Sequence, residues 1–133
     1  MNLALGATVL VASTAHAADP LVTTGQSIQT AIAAAANGDR VLVEPGIDAE
    51  AIDTLGKSIE IVGVWGPGST TIDATGLNTS VVTLRGAPSQ PIVRGFTFTG
   101  GTGSTHPDGT FGGGGVAGEL RLTRCILESN TGS

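Results

Sequence analysis

The chain has 133 residues with 21 Gly and 6 Pro, 13% charged residues and a formal charge of −5. Gly and Pro make up about a fifth of it, against roughly 12% in average usage. Thr, Val and Ile supply 38 β-branched residues, and together these features indicate short strands joined by many turns. Coiled coils and helical bundles are excluded, 40% hydrophobic content argues against disorder, and six scattered Lys and Arg leave no basic stripe for nucleic acid or an anionic membrane.

The length allows one domain. Residues 3–12 (LALGATVLVA) form an apolar run too short to span a bilayer. Ala15-His16-Ala17 follows, with small residues at the −3 and −1 positions of a signal-peptidase site. Residues 1–17 are therefore expected to be a signal peptide, giving a secreted or cell-surface protein with no membrane span after its removal. The n-region lacks Lys and Arg, which weakens the signal. Cys125, the only cysteine, has no internal disulfide partner, and it reads as a buried core residue.

Residues 27–36 (SIQTAIAAAA) carry the single helical signal. Ile28, Ala31, Ile32 and Ala35 form one apolar stripe, Ser27 or Gly25 is placed to cap its start, and Asn37-Gly38 is expected to stop it. So short a helix is marginal alone and must lie against something, with Ile28 and Ile32 inward. Short alternating runs follow at residues 40–43, 58–62, 70–73, 81–84, 92–93, 95–99, 120–122 and 125–127. The alternation places Val41, Val43, Ile59, Ile61, Ile72, Val82, Leu84, Val93, Phe96, Phe98, Leu122, Cys125 and Leu127 inward.

Val93, Phe96, Phe98 and Gly100 repeat as Leu122, Cys125, Leu127 and Ser129, all four at one constant offset. Upstream, Val43, Ile61 and Leu84 recur at shorter and unequal spacings. Recurrence at about 20–30 residues marks stacked repeats; a hairpin meander recurs at about 8–12. Asp108-Gly109, the one hairpin-type dipeptide in this region, lies in the glycine-rich stretch 100–115, which is expected to bulge as a loop.

The run S-I-Q-x-A-I-x-A-A-x-x-G-D-x-V-L-V-x-P-G from Ser27 to Gly46, then K-S-I-E-I-V-G from Lys57 and T-T-I-D from Thr70, resembles the start of right-handed parallel β-helix proteins of the pectate-lyase-like superfamily. R-G-F-T-F-T-G-G from Arg94, G-G-G-G from Gly112 and L-R-L-T-R-C-I-L-E-S-N-T from Leu120 resemble the repeat of its secreted bacterial branch. The resemblance implies an all-β fold: a right-handed parallel β-helix (solenoid) with an N-terminal capping α-helix, spanning residues 18–133 with about four rungs. It also implies that further rungs of a longer chain, or self-association, cover the uncapped C-terminal end. The scaffold hosts lyases, hydrolases, adhesins and inert surface proteins, so it does not fix an activity.

The expected function is an exported non-catalytic module, surface- or adhesin-like or glycan-contacting, whose partner is a polysaccharide or cell-surface glycan. The alternative is the N-terminal segment of a polysaccharide lyase or glycoside hydrolase whose catalytic rungs lie beyond residue 133. Lyase chemistry needs several carboxylates around Ca²⁺ and a nearby base. Asp19, Asp39, Asp48, Asp53, Asp73 and Asp108 include no D-D or D-x-D pair, so no catalytic residue, metal or cofactor is expected. His106 and Asp108 lack a third ligand. Gly112 to Gly115 lacks the Lys of a phosphate loop, and Thr97 with Thr99 is a single Thr-x-Thr rather than an ice-binding array. Arg85 and Arg94 are read as cross-strand partners of Glu60 or Glu44. Trp65, in the turn Gly63-Val-Trp-Gly-Pro-Gly-Ser69, is either folded over the coil or exposed as a stacking platform for a sugar ring.

Overall fold

The computed structural model describes residues 19–83, 91–105, 111–112, 114–117 and 121–131. The expected leader, Leu84, Arg85, His106 and Asp108 lie outside them. No helix among the described residues is long and apolar enough to cross a membrane.

Short β-branched runs broken by glycine turns give strands of two to four residues. In chain order these are β1 (Leu21–Val22), β2 (Arg40–Val43), β3 (Gly46–Asp48), β4 (Ile52–Asp53), β5 (Glu60–Gly63), β6 (Thr70–Asp73), β7 (Val82–Thr83), β8 (Ile92–Arg94), β9 (Thr97–Thr99), β10 (Ser104–Thr105), β11 (Phe111–Gly112), β12 (Val116–Ala117), β13 (Arg121–Thr123) and β14 (Ile126–Leu127). The helix α1 (Ile28–Ala34) follows β1.

Three parallel sheets form. The first runs β1-β2-β5-β8-β13, the second β3-β6-β9-β14 and the third β4-β7-β12. The chain visits first, second and third sheet in the same order at each level: β2, β3, β4, then β5, β6, β7, then β8, β9, β12, then β13 and β14.

Stacking in register turns the alternation of each strand into columns. In the first sheet Val41 faces Ile61, Ile61 faces Val93, and Val93 faces Leu122. In the second, Asp48 faces Ile72, Ile72 faces Phe98, and Phe98 faces Leu127. In the third, Ile52 and Val116 both face Val82. Each fully buried side chain in these columns contributes roughly 1.5–3 kcal/mol. Phe96 and Phe98 stack at 5.9 Å between ring centroids.

Of the expected inward residues, Val41, Val43, Ile59, Ile61, Ile72, Val82, Val93, Phe96 and Phe98 are buried. Leu122 and Cys125 are half-buried against the same core, and Leu127 is 49% exposed. Leu127 continues the column of Phe98, but β14 is the last strand of its sheet and no described strand covers it.

The constant offset that carries Val93 onto Leu122 is the true register of the last two levels. The upstream spacings are not: Val43 faces Gly63 rather than Ile61, and Ile61 faces Val93 rather than Leu84. Val82, just before Leu84, belongs to the third sheet. All strands share one period-2 pattern, so the pattern alone cannot say which sheet a strand joins. Stretch 100–115 is also more than a loop, since β10 and β11 pair antiparallel across it, with Ser104 opposite Gly112.

The helix is two residues shorter at its C-terminal end than expected, because Ala35 leaves it in an extended conformation. Asn37-Gly38 forms the following turn instead, with Gly38 at φ +94° and Asp39 N–H donating to the Ala36 carbonyl. Ile28 and Ile32 are fully buried in the core cluster. The neighbouring level holds both ends of the helix. Glu50 accepts from Ser27 Oγ (2.9 Å) and Ile28 N–H (2.7 Å) at the N-terminus. Lys57 Nζ donates to the carbonyls of Ile32, Ala33 and Ala35 (2.6–2.8 Å) at the C-terminus. Both charges complement the helix dipole. Lys57→Met keeps the stem and removes three charge-assisted bonds, so it should lower stability by about 2 kcal/mol. Urea unfolding followed by circular dichroism reads this; an unchanged midpoint contradicts it.

Candidate functional site

The corner between the first and second sheets is short at most levels. Two residues turn it after β2, β8 and β13: Glu44-Pro45, Gly95-Phe96 and Arg124-Cys125. Gly95 and Arg124 hold the same place one level apart, and both are left-handed, at φ +83° and +55°. After β5 the corner swells to residues 64–69, the Trp65 loop.

Glycine lets the levels approach closely here. A Cβ on Gly63 would collide with the Gly95 carbonyl oxygen, and a Cβ on Gly95 with that of Gly63. At Gly63 and Gly95 the corner is therefore bare backbone, and Val62 and Val64 line it on either side of Gly63.

Above that corner the loop is held in shape. Gly66 turns at φ +88° and donates to the Gly63 carbonyl (3.1 Å), Ser69 N–H donates to the Gly66 carbonyl (3.1 Å), and Thr97 Oγ1 on β9 donates to the Pro67 carbonyl (2.8 Å). Trp65 at the tip is 74% exposed. It does not fold back over the stacked sheets. Together Gly63, Trp65, Gly66, Arg94, Gly95 and Arg124 line an open recess of about 420 Å³.

A line of alternating charge crosses the first sheet towards this recess. Arg40 donates from Nε and Nη2 to Asp19 (3.2 and 2.8 Å), and this contact with Asp19 raises the Arg40 pKa. Arg40 is the register partner of Glu60. Glu60 meets Arg94 Nε diagonally at 2.7 Å, an ion pair without the alignment of a hydrogen bond. The expected pairing of Arg94 with Glu60 is thus present. Arg124 has no carboxylate partner among the described residues.

The expected acidic residues are dispersed. Asp39 Oδ2 accepts from Ala36 N–H (2.8 Å) and Asp53 Oδ1 from Leu55 N–H (2.8 Å). Asp73 Oδ1 accepts from Thr75 Oγ1 (2.5 Å) and N–H (2.9 Å), and these bonds lower its pKa. No group of three metal-type ligands occurs among the described residues. Cys125 Sγ lies 3.5 Å from the Val93 carbonyl and 3.4 Å from that of Thr123, a structural placement. Gly101 and Gly114 serve close approach, since a Cβ on either would strike backbone of a neighbouring segment.

Asp48 differs from the other acids because it stands in the inward column of the second sheet. Burial, then the Glu50 charge, raises its pKa. A folded pKa above the unfolded value means that ionised Asp48 costs stability, a cost absent below the unfolded pKa and developed as pH rises through the folded one. Asp48→Asn should therefore raise the melting temperature at pH 7 and leave it unchanged at about pH 3, below the ordinary Asp pKa of roughly 3.9. Equal shifts at both pH values would contradict that origin.

Compared with protein-family models, curated proteins and solved structures, the chain matches none.

From the sequence, Trp65 stood out as a candidate stacking platform, Arg94 only as a cross-strand charge partner, and Arg124 not at all. The signal was present: the same constant offset carries Gly95 onto Arg124, a cation in the slot where the preceding level needs glycine.

Proposed function

We propose that the chain is a right-handed parallel β-helix module, exported to the cell surface or beyond, that contacts glycans through the corner recess beneath Trp65. The cyclic order of strands through three parallel sheets, with α1 against one end of the stack, supports the coil and the capping role of the helix. The apolar run before Ala15-His16-Ala17 supports export.

The observation that carries the glycan reading is the exposure of Trp65 on a pinned loop above the bare backbone of Gly63 and Gly95. An indole held open costs little further ordering when it stacks on the apolar face of a sugar ring. The pairing of Asp39, Asp53 and Asp73 with local backbone favours a contact role over carboxylate catalysis.

The test is retention of the chain lacking residues 1–17 on a panel of immobilised glycans. Trp65→Ala should weaken retention at least tenfold, about 1.4 kcal/mol, with an unchanged circular dichroism spectrum. No retention on any glycan, or equal retention by the variant, overturns the reading.

A further inference from the structure

We propose that Asn37 is a modification site, a centre of spontaneous deamidation that Ser58 holds closed and that opens when the C-terminal end of α1 parts from the next level. The co-reactant is water, and the product carries a carboxylate at position 37. The inference is independent of the glycan reading.

The chemistry starts in the sequence. Of Asn2, Asn37, Asn78 and Asn130, only Asn37 is followed by glycine; Leu3, Thr79 and Thr131 follow the others. In the reaction the Gly38 backbone nitrogen gives up its proton and attacks the side-chain carbonyl carbon of Asn37. The new C–N bond closes a succinimide ring, the bond to Nδ2 breaks, and ammonia leaves with the proton. Water then opens the ring at either carbonyl, giving aspartate or isoaspartate, with nothing oxidised or reduced. A side chain on the following residue shields the attacking nitrogen, and glycine has none. Asn37 and Gly38 are both exposed, and a Cβ on Gly38 would meet nothing within 4 Å, so ring and water have room.

One residue of the next level closes this route. Gly38 N–H donates to the Ser58 carbonyl (2.8 Å), and Asn37 Oδ1 accepts from Ser58 N–H (2.8 Å). The second bond alone would favour attack, since a donor on the amide oxygen stabilises the oxyanion that develops there. The first decides the outcome, because the Gly38 nitrogen is the nucleophile and an N–H held on a carbonyl keeps its proton. Lys57, next to Ser58, fastens the same end of the helix through its bonds to the carbonyls of Ile32, Ala33 and Ala35. Lys57 and Ser58 therefore act as one clasp, and local opening of that clasp sets the rate. Isoaspartate adds a methylene to the main chain between Ala36 and Gly38, so the paired contact with Ser58 is not regained and the helix end stays loose.

The chain lacking residues 1–17 is held at about pH 8.5, folded in buffer and unfolded in guanidinium chloride. Peptide mapping by mass spectrometry follows conversion of each asparagine, with Asn78 and Asn130 as internal controls. In the unfolded chain Asn37 should react at least about tenfold faster than either control, and folding should slow it at least about tenfold. Lys57→Met should react several-fold faster than the folded parent while its circular dichroism spectrum still matches. After ageing, the fraction carrying isoaspartate should melt below the unmodified fraction. Equal rates at Asn37 in buffer and in guanidinium chloride overturn the proposal, as does an unfolded chain without preference for Asn37. A folded Lys57→Met variant that reacts no faster than the parent, or an isoaspartate fraction that melts with the unmodified one, overturns the clasp.

Discussion

Ile32→Asp is expected to remove most of the stability of the chain and to make it associate. Ile32 is fully buried in the cluster that joins α1 to the stacked sheets. Replacing it forfeits roughly 1.5–3 kcal/mol of apolar burial and confronts a carboxylate with a desolvation cost of several kcal/mol. The total, about 4 kcal/mol or more, is a large share of the 5–15 kcal/mol typical of a domain. A detached helix would uncover the outer strand β4, whose Asp53 N–H and carbonyl pair with the Gln29 side chain of the helix and would then become a template for another chain. Ile32→Val should cost about 1 kcal/mol and leave the protein monomeric. Light scattering and thermal melting of the two variants check this; an Asp variant as monomeric and heat-stable as the parent refutes the role given to the helix.

Phe98→Ala should cost about 4 kcal/mol, within the 3–5 kcal/mol usual for emptying a buried phenylalanine site. Phe98 stands between Ile72 and Leu127 in its column and stacks on Phe96, so its loss opens a void at the level that carries Arg94. Phe98→Leu preserves most of the volume and should cost under about 1.5 kcal/mol. Denaturant midpoints of both variants give the comparison, and similar small losses would place Phe98 outside the core.

Local features of this architecture were legible in the sequence, and three-dimensional stacking only in part. Ser27 and the Ile28–Ile32 stripe gave the helix because capping and period are written in neighbouring residues. Val93 onto Leu122 was visible because sheet one and sheet two advance by the same number of positions between these two levels. The earlier levels differ in corner length, so the step from Val41 to Ile61 is much shorter than that from Ile61 to Val93, and no fixed offset reveals either. The two-residue strands β1, β4 and β12 have no period of their own and exist through pairing. Lys57 and Glu50 were silent for the same reason: each meets the helix from a distant part of the chain. At the site, Trp65 stood out by type and loop context, whereas Arg124 mattered only once Gly95 was seen beneath it.

The recess exists only if the levels bearing Trp65, Arg94 and Arg124 stack in parallel and in this register. Glu60, Ile92 and Arg121 form one column through those levels. Adjacent strands lie about 4.8 Å apart, within disulfide reach, while positions two strands apart, at roughly 9.6 Å, are beyond the limit of about 7 Å. With Cys125→Ser as background, cysteine pairs at 60 and 92 and at 92 and 121 are predicted to form intrachain disulfides under mild oxidation, and the pair at 60 and 121 to remain reduced. Cross-linking of 60 with 121, or of neither adjacent pair, would contradict the stacked parallel arrangement and the site built on it.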